Sequence, residues 1–173
     1  MNAGDAIEVR PKTEVDDAFV RAELVRHWCS TTIWSVDREY DAANLPAFIA
    51  WVGGERVGHI TLAFDPGECE VVTLSATVEG RGVATRLLEA AATAARDRGA
   101  RRLRLTTSND NLRALALYQK RGWRIIAAHP GMIDRYRERV PAIPVTGLNG
   151  IPLHDEIELE LRLDANQGVR LAP

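Results

Sequence analysis

The chain has 173 residues, a formal net charge of −2 at pH 7, 46% hydrophobic residues and 27% charged residues. A chain of this length is expected to fold as one domain over residues 1–173, with a core from about 7 to 163 and a tail over 164–173. The small net charge gives no general field for nucleic acid, and no apolar run approaches the ~18 residues that a membrane span needs. We therefore expect neither a nucleic acid nor a membrane as partner.

The start of the sequence and its cysteines predict location and metal content. The first residues, MNAGDAIEVR, lack the basic start and apolar core of a secretory signal, which predicts a cytoplasmic protein. Cys29 and Cys69 are isolated from each other, and the sequence has no CxxC pair and no His/Cys cluster. It therefore predicts neither a disulfide framework nor a bound metal.

The first third of the sequence predicts an edge strand at Ile7–Pro11, a helix over Glu14–Trp28 and an irregular segment over 30–43 with a loop and a short helix. In the helix, one set of positions falls near a helical repeat and is expected to be buried, while Arg21, Glu23 and Arg26 face water. The positions expected to be buried are Val15, Phe19, Ala22, Val25 and Trp28.

An antiparallel meander is predicted next. The apolar runs PAFIAWV and RVGHITLAF flank Gly53-Gly54, and two glycines between β-type runs indicate a tight hairpin turn with positive φ. Asp65-Pro66-Gly67 is a second turn signal, after which ECEVVTLSA supplies the third strand of the meander.

The second half alternates helices and strands. Gly82 to Arg98 has helical apolar spacing with Gly99 as its C-terminal cap, and Arg101 to Thr107 alternates as a strand does. Because a helix-long crossover separates ECEVVTLSA from this strand, the two are expected to be parallel. A further helix begins in the Asn109-Asp110-Asn111 cluster and ends at Gly122.

Two strands and a long excursion complete the predicted order. Trp123–Ala128 is the first of these strands, and Glu156–Leu163 is the second, in which apolar residues alternate with glutamates so that one face is buried. Residues 130–155 are rich in Pro and Gly and are predicted to be a long loop, a kind of segment that often carries function.

The segment from Gly80 to Ala84 joins the third meander strand to a helix. The first amides of a helix have no partners within it, and the helix dipole favours an anion. Gly80 and Gly82 let the backbone approach a ligand and adopt angles that a side chain forbids. The segment therefore fits a pyrophosphate, although a strand-to-helix turn that merely uses glycine gives the same pattern.

A Rossmann dinucleotide site fits this segment less well. Gly80-x-Gly82 begins its fingerprint, but the third small residue falls two places after Gly82 instead of three. Arg101 and Arg102 occupy the region where an acidic residue is expected, and antiparallel strands precede the segment. A Walker loop is excluded because no Gly-Lys-Ser/Thr follows the glycines.

Three stretches resemble a known family. The run ECEVVTLSATVEGRGVATRLLEAA, followed by SNDNLRALALYQKRGWR, is similar to the two central motifs of the GNAT acetyltransferase superfamily. The later run PVTGLNGIPLHDEIELEL resembles a group of uncharacterised bacterial members. The predicted elements match that fold from about Ile7 to Leu163. The resemblance implies an α/β (α+β) GNAT fold, with a mixed central sheet of about seven strands and flanking helices.

The resemblance also implies acetyl-CoA as the acyl donor. The family's loop reads Gln/Arg-x-x-Gly-x-Gly/Ala, and Glu79 departs from it at the first position. Arg81, two residues later, offers a positive charge that compensates for the glutamate. By the resemblance, amides from Arg81 to Thr85 hold the pyrophosphate, and backbone groups of Leu74 and Ala76 pair with the pantetheine arm. The residues implied to contact the donor are Leu74, Ser75, Ala76, Glu79, Gly80, Arg81, Gly82, Val83, Ala84, Thr85 and Asn111.

The second motif lies on the helix that follows the Asn-Asp-Asn cluster. Asn111, Ala114 and Tyr118 are spaced by three and four residues and share a face. Ala114 leaves space for the donor, and Asn111 either hydrogen-bonds to the pantetheine or acts only as the helix cap. The resemblance implies that Tyr118 donates a proton to the CoA sulfur and that an amide near Leu74 or Ser75 polarises the carbonyl; a packing role for Tyr118 is the alternative.

Two groups are candidates for the general base. Glu70 lies on the strand beside the expected thioester path and shares a face with Glu68, so it is predicted to draw the amine proton directly or through water. A solvated strand face is the alternative for both glutamates. His154, beside Asp155 and Glu156, is the second candidate, against the reading of a surface histidine in a turn.

The acceptor pocket is predicted to be shaped by the loop over 130–156 together with Trp28, Trp34 and Tyr40, and the candidate acceptor-binding residues are Trp34 and His154. The functional hypothesis is transfer of an acetyl group from acetyl-CoA to a primary amine, by direct attack in a ternary complex and without a metal. A small-molecule amine is the expected partner, amino acids, drugs and protein termini remain open, and a homodimer is compatible with the hypothesis. A noncatalytic module that binds acyl-CoA or a metabolite as a sensor is the alternative.

Overall fold

The computed structural model describes residues 6–78 and 80–163, so Glu79 and the predicted tail over 164–173 lie outside the described residues. The strands are Glu8–Pro11 (β1), Thr32–Ser35 (β2), Arg38–Asp41 (β3), Ala47–Val52 (β4), Glu55–Asp65 (β5), Glu68–Ala76 (β6), Arg102–Ser108 (β7), Arg124–His129 (β8) and Glu156–Arg162 (β9). The helices are Asp17–Trp28 (α1), Val83–Asp97 (α2), Leu112–Lys120 (α3) and Met132–Arg139 (α4), with short 3-10 turns at Glu14–Asp16, Ala42–Asn44 and Leu148–Gly150.

Within the described ranges the strands form one mixed sheet of seven, in the order β1-β4-β5-β6-β7-β9-β8, and a separate hairpin of β2 and β3. From β1 through β4 and β5 to β6 the neighbours are antiparallel. β7 lies parallel to β6 because α2 carries the chain back across the sheet, as the crossover length predicts. The predicted α/β class with a mixed sheet of about seven strands is confirmed. No helix in the described ranges is long and apolar enough to cross a membrane.

Apolar cores lie on both faces of the sheet. On one face Leu87 and Ala91 of α2 belong to a buried cluster with Leu103 and Leu105 of β7. On the other face Leu24 is one of the α1 residues that pack against the sheet. Removing these side chains from water stabilises the fold by roughly 1.5–3 kcal/mol for each large one.

The buried face of α1 differs from the predicted one. Val15 and Val25 are 77% and 54% exposed, whereas Val20 and Leu24 are fully buried and Glu23 is only 6% exposed. The helix is therefore turned so that a carboxylate points inward, and the prediction that Glu23 faces water was wrong. The Ser75 hydroxyl of β6 donates a hydrogen bond to this carboxylate at 2.9 Å, which makes its burial possible.

The prediction of a loop and a short helix over 30–43 was also wrong in its main part. β2 and β3 pair directly, from Thr32 opposite Asp41 to Ser35 opposite Arg38, and the 3-10 turn follows them. Val36 and Asp37 form the turn with positive φ of 47° and 63°. Hairpin turns of this type favour Asn and Gly, so this sequence lacks the usual turn signal.

The segment over 130–155 is more ordered than the predicted long loop, because α4 occupies part of it. Gly131 is the N-cap that precedes this helix, with a φ of 70°. Its amide donates a hydrogen bond to the Asp155 side chain at 2.9 Å. The rest of the segment, residues 140–155, is irregular except for the short 3-10 turn at Leu148–Gly150.

Both faces of β9 are buried, whereas the sequence predicted one. Glu156, Glu158 and Glu160 are each less than a tenth exposed. Glu158 lies 3.1 Å from the guanidinium of Arg104, and Glu160 lies 3.3 Å from that of Arg102. Since β9 is an inner strand of the sheet, Glu158 and Glu160 are buried beside arginines of the neighbouring β7.

His59 of β5 is fully buried on the α1 face of the sheet. Its Nε2 lies 3.2 Å from the Thr73 hydroxyl, and the rings of Phe19 and Trp28 lie edge-on at 6.3 and 6.2 Å. Burial lowers the pKa of His59 from the ordinary 6.5 to about 4, although the nearby Glu23 carboxylate opposes the shift. The folded protein therefore holds this imidazole neutral at pH 7.

We expect His59 to make folding stability depend on pH. Because its folded-state pKa is depressed, the unfolded chain binds more protons between pH 6.5 and about 4, so stability is full above this window and falls as the pH is lowered through it. The loss amounts to roughly 3 kcal/mol. Urea unfolding at a series of pH values should show a smaller slope in this window for His59→Gln than for wild type. His154→Gln, at a partly exposed histidine, is the matched control, and equal slopes in all three proteins would contradict the prediction.

Candidate active site

The central feature of the site is a gap between two neighbouring strands. β6 pairs with β7 only from Glu68 to Val71, opposite Arg102 to Leu105. Beyond these positions β6 continues to Ala76 and β7 to Ser108, and the two strands diverge. β6 remains paired with β5 on its other side, so one edge of its backbone faces the gap.

A bulge in β6 begins where the strands diverge. Thr61 of β5 pairs with Thr73 and the next residue, Leu62, pairs with Val71, which leaves Val72 as an extra residue. The extra residue reverses the alternation of side chains along the rest of the strand. Leu74 and Ala76 consequently pack with the α2 core, as Cys69 and Val71 do before the bulge. Thr73 and Ser75 point to the α1 face instead, where they make side-chain hydrogen bonds.

Two cavities open on this gap. The smaller has a volume of about 460 Å³ and lies between the start of α2 and α3. The larger has a volume of about 700 Å³ and lies between the C-terminal end of α1, β2 and the segment after α4. Leu74, Ala76 and Asn111 line both cavities, so the two meet at the end of β6.

The start of α2 supplies hydrogen-bond donors to the smaller cavity. Gly80 and Gly82 have positive φ of 73° and 82°, and Gly82 is the N-cap of the helix without a side-chain cap bond. The amide of Arg86 makes the first intrahelical bond, to the Gly82 carbonyl at 3.0 Å. The three residues before it, Val83, Ala84 and Thr85, line the cavity with amides that have no acceptor in the helix.

Arginines add positive charge to the same cavity. Arg113 and Arg121 both line it. The Nε of Arg121 is buried and has no hydrogen-bond partner among the described residues. A buried donor without a partner is costly, so this atom fits a site that a ligand completes. Together with the helix dipole, these charges make the cavity suited to a phosphorylated ligand.

α3 brings its predicted residues to the smaller cavity. Asn111, Ala114 and Tyr118 all line it. The Asn111 side chain accepts a hydrogen bond from the amide of Ala114 at 3.2 Å, so it caps the helix. Tyr118 is 7% exposed and packs against the ring of Trp123 at 5.7 Å. Burial raises the pKa of Tyr118 far above its ordinary value, which keeps the hydroxyl protonated.

Apolar and aromatic side chains dominate the larger cavity. α1 contributes Trp28, and β2 contributes Ile33 and Trp34. The segment after α4 contributes Val140, Ile143, Pro144, Leu148 and Leu153. The predicted acceptor residue Trp34 therefore lies in the wall, with its ring 6.4 Å from that of Tyr136 of α4.

A histidine of α1 lines this cavity, with a carboxylate of the same helix behind it. Glu23 accepts a hydrogen bond from the hydroxyl of Ser75 at 2.9 Å, which gives the inward-facing carboxylate a partner. The Nε2 of His27 lies 3.4 Å from the same carboxylate, and His27 and Ser75 both line the cavity. The sequence contains no local signal for this group, because only the bulge in β6 turns Ser75 toward α1.

The two predicted candidates for the general base lie elsewhere. Glu70 is 4% exposed, accepts a hydrogen bond from the Tyr40 hydroxyl at 2.7 Å and lies 3.7 Å from Arg104. His154 is partly exposed, with its Nδ1 2.6 Å from the Asp155 carboxylate. Neither is among the described residues that line the two cavities.

Asn109 and Asp110 attach the segment over 140–155 to the start of α3, although the sequence predicted only capping for them. The Asn109 side chain accepts from the amides of His154 and Asp155 at 3.1 Å and donates to the Pro152 carbonyl at 2.8 Å. Asp110 accepts from the amide of Leu148 at 2.6 Å. A Cβ on Gly147 would lie 1.9 Å from the Asp110 carboxylate, so this contact requires glycine there. The wall of the larger cavity is thereby held in place.

A buried carboxylate, that of Glu156, lies next to Tyr136 of the larger cavity. Glu156 accepts from the Tyr136 hydroxyl at 2.9 Å and from the Val36 amide at 3.0 Å. Burial raises the pKa of Glu156 above its ordinary value. These contacts hold the strained turn of the β2–β3 hairpin against the sheet.

No group of three or more His, Cys, Asp or Glu in residues 6–78 and 80–163 is arranged to hold a metal ion.

Comparisons with known proteins agree with this geometry. The family model for the Acetyltransferase (GNAT) family matches residues 14–123. The chain is 33% identical over 154 residues to the uncharacterized protein YxbD of Bacillus subtilis (strain 168), which covers 88% of this chain and 97% of YxbD.

Solved structures share the fold. The IAA acetyltransferase from Bacillus cereus ATCC 14579 has a TM-score of 0.70 at 21% identity, over 91% of this chain and 99% of that chain. A GNAT family acetyltransferase from Elizabethkingia anophelis with acetyl-CoA bound has a TM-score of 0.65 at 20% identity, also over 91% and 99%. Because the family model covers α1, the diverging strands, the glycine segment and α3, and because a relative as similar as YxbD spans nearly the whole chain, the protein belongs to the acetyltransferase (GNAT) family.

Proposed function

We propose that this protein transfers an acetyl group from acetyl-CoA to a primary amine of a small molecule, by direct attack in a ternary complex. The observation that carries the proposal is that two cavities of different character meet at Leu74, Ala76 and Asn111. The smaller cavity suits the phosphorylated donor, and the larger one suits the acceptor. Transfer in a ternary complex needs both at once, with their reacting ends together.

The residues of the smaller cavity fit acetyl-CoA. The free amides of Val83, Ala84 and Thr85 are placed to hold the pyrophosphate, and Arg113 and Arg121 add charge for phosphate oxygens. The edge of β6 that faces the gap offers backbone groups for the amide-containing pantetheine arm. Bound acetyl-CoA supplies an activated thioester carbonyl. An amide near Leu74 or Ser75 is then the donor that polarises this carbonyl.

Tyr118 is the proposed proton donor to the departing sulfur. It lines the smaller cavity beside Asn111 and Ala114, and its buried hydroxyl stays protonated. A carbon–nitrogen bond forms as the carbon–sulfur bond breaks, the phenol proton goes to the thiolate, and a proton of the amine goes to a base. Release of that proton by the base and uptake of a proton by the phenolate restore both groups for the next turnover.

His27 is the proposed base, oriented by Glu23. The imidazole lines the acceptor cavity and lies 3.4 Å from the Glu23 carboxylate, which stabilises the charge that the ring gains on taking a proton. Glu70, the choice from sequence, is less well placed because it bonds to Tyr40 and does not line the described cavities. His154 has the same disadvantage.

Release of free CoA thiol from acetyl-CoA with a panel of amines tests the proposed activity. We expect thiol release with wild type, and a decrease of roughly 10²-fold in kcat for Tyr118→Phe because the variant lacks the proton donor. Calorimetry should give the same acetyl-CoA affinity for both proteins. Binding of acetyl-CoA without thiol release from any amine would instead support the noncatalytic sensor.

Gly82→Ala should weaken acetyl-CoA binding by roughly tenfold, because a side chain at a φ of 82° strains the turn that presents the amides. Gly99→Ala is the matched control. Gly99, just beyond the other end of α2, also has a positive φ, 76°, and both sites have open space around an added Cβ. Each substitution should cost about 1–2 kcal/mol of stability. Equal acetyl-CoA affinities for the two variants by calorimetry would argue against a pyrophosphate site at this turn.

Turnover by three variants distinguishes the candidate bases. His27→Gln should lower kcat roughly 10²-fold with acetyl-CoA affinity unchanged, because the variant has no group there to accept the amine proton. Glu70→Gln and His154→Ala should retain the wild-type kcat. If Glu70→Gln alone lowers kcat while acetyl-CoA affinity is unchanged, Glu70 is the base and the assignment of His27 is wrong.

A further inference from the structure

The larger cavity differs from a site for an amino acid or a peptide terminus in one respect. Among the described residues that line it there is no lysine and no arginine. Proteins usually bind a carboxylate with a cationic side chain, most often a bidentate arginine. The basic side chain among these lining residues is His27, whose imidazole lies 3.4 Å from the Glu23 carboxylate. A carboxylate on the acceptor would therefore meet no permanent positive charge in this lining, at a large cost in free energy.

Two arginines of α4, Arg137 and Arg139, make contacts outside the lining. Arg137 donates hydrogen bonds to the carbonyls of Ile143, Pro144 and Leu153 at 2.7–3.0 Å, so its guanidinium supports the wall from behind. Arg139 lies over the ring of Trp34 at 5.8 Å and is exposed to solvent. Neither is among the described lining residues.

Two carboxylates lie in the wall of the cavity or just behind it. Asp110 lines it and bonds to the Leu148 amide and the Ser108 hydroxyl. Glu23 lies behind Ser75 and His27, with Arg26 at 3.6 Å on its outer side. The surroundings thus favour an ammonium group over a carboxylate.

The remaining lining supplies flat apolar surfaces. Trp28 and Trp34 lie in the wall with Tyr136, and aliphatic side chains of the segment after α4 complete it. Aromatic walls bind apolar rings through buried area and bind ammonium groups through the ring quadrupole. A cavity of about 700 Å³ has the size of those that hold small molecules.

We propose that the acceptor is a hydrophobic primary amine without a carboxylate, of the alkylamine or arylalkylamine class. Its apolar body lies against Trp28 and Trp34, and its amino group points toward the junction of the two cavities, near Ser75 and His27. This inference rests on the proposed function: the amine nitrogen bonds to the acetyl carbon, its proton passes to the base, and CoA leaves as the thiol.

Matched pairs of acceptors test the proposal with the full-length wild-type protein. Tryptamine is compared with tryptophan and phenethylamine with phenylalanine, each by thiol release and by calorimetric titration into the protein saturated with CoA. We expect kcat/KM to be roughly 10²-fold or more higher for the amine of each pair. Tryptophan methyl ester should recover most of the activity lost with tryptophan, because it keeps the bulk and removes the negative charge.

The two readouts separate this proposal from the proposed function. Preferential binding of tryptamine without thiol release would support the acceptor class and overturn acetyl transfer. Thiol release with tryptophan as efficient as with tryptamine, or with spermidine alone, would overturn the acceptor class and leave acetyl transfer standing. Failure of tryptamine to bind to the CoA complex would also overturn the acceptor class.

A tryptophan pair provides the matched variants. Trp34→Ala should raise the KM for tryptamine roughly tenfold without changing that for acetyl-CoA, because it removes a wall of the acceptor cavity alone. Trp51→Ala is the control, since Trp51 of β4 lies under Arg56 at 4.5 Å and is not among the described lining residues of either cavity. Equal effects of the two variants on the tryptamine KM would contradict the assignment of Trp34 to the acceptor.

Discussion

The early end of pairing between β6 and β7 is the constraint on which the functional half of the molecule depends. Four residue pairs, from Glu68 with Arg102 to Val71 with Leu105, hold the strands together before they part. Backbone groups inside a protein need hydrogen-bond partners, and the inner edge of β6 beyond Val71 has lost the strand that would supply them. The gap is therefore a natural place for an extended, amide-containing ligand, and both cavities open from it.

The bulge at Val72 couples this gap to α1. By reversing the side chains that follow, it turns Ser75 toward α1, where Ser75 donates a buried hydrogen bond to Glu23. The same side of α1 carries Val20 and Leu24, which pack in the core, so Val15 and Val25 stay exposed. This packing places His27 among the residues that line the larger cavity.

The sequence predicted those parts of the fold and site whose signals are local. Gly53-Gly54 marks a hairpin, Gly82 and Gly99 bound α2, and Asn111 caps α3 beside Tyr118. Each of these residues acts through its own backbone or its immediate neighbours, so a pattern of nearby residues is enough to identify it.

The features that the sequence did not predict depend on contacts between distant residues. The turn at Val36-Asp37 has no glycine or asparagine, and it is held instead by Glu156 and Tyr136, 99 to 120 positions away. Glu158 and Glu160 of β9 are buried beside arginines of β7. Asn109 has a side chain typical of a helix cap, but it accepts a hydrogen bond from the amide of His154 instead. No periodicity or spacing within the sequence records these pairings.

The two cavities are built from different parts of the chain, and this division has an evolutionary consequence. The smaller one is lined by residues between Leu74 and Arg121, whereas the larger one also draws on residues 27–34 and 133–153. Substitutions or changes of length in those outer segments can reshape the larger cavity while the smaller cavity and the strand gap stay intact. Members of the family can therefore diverge in what the larger cavity binds by altering the outer segments alone.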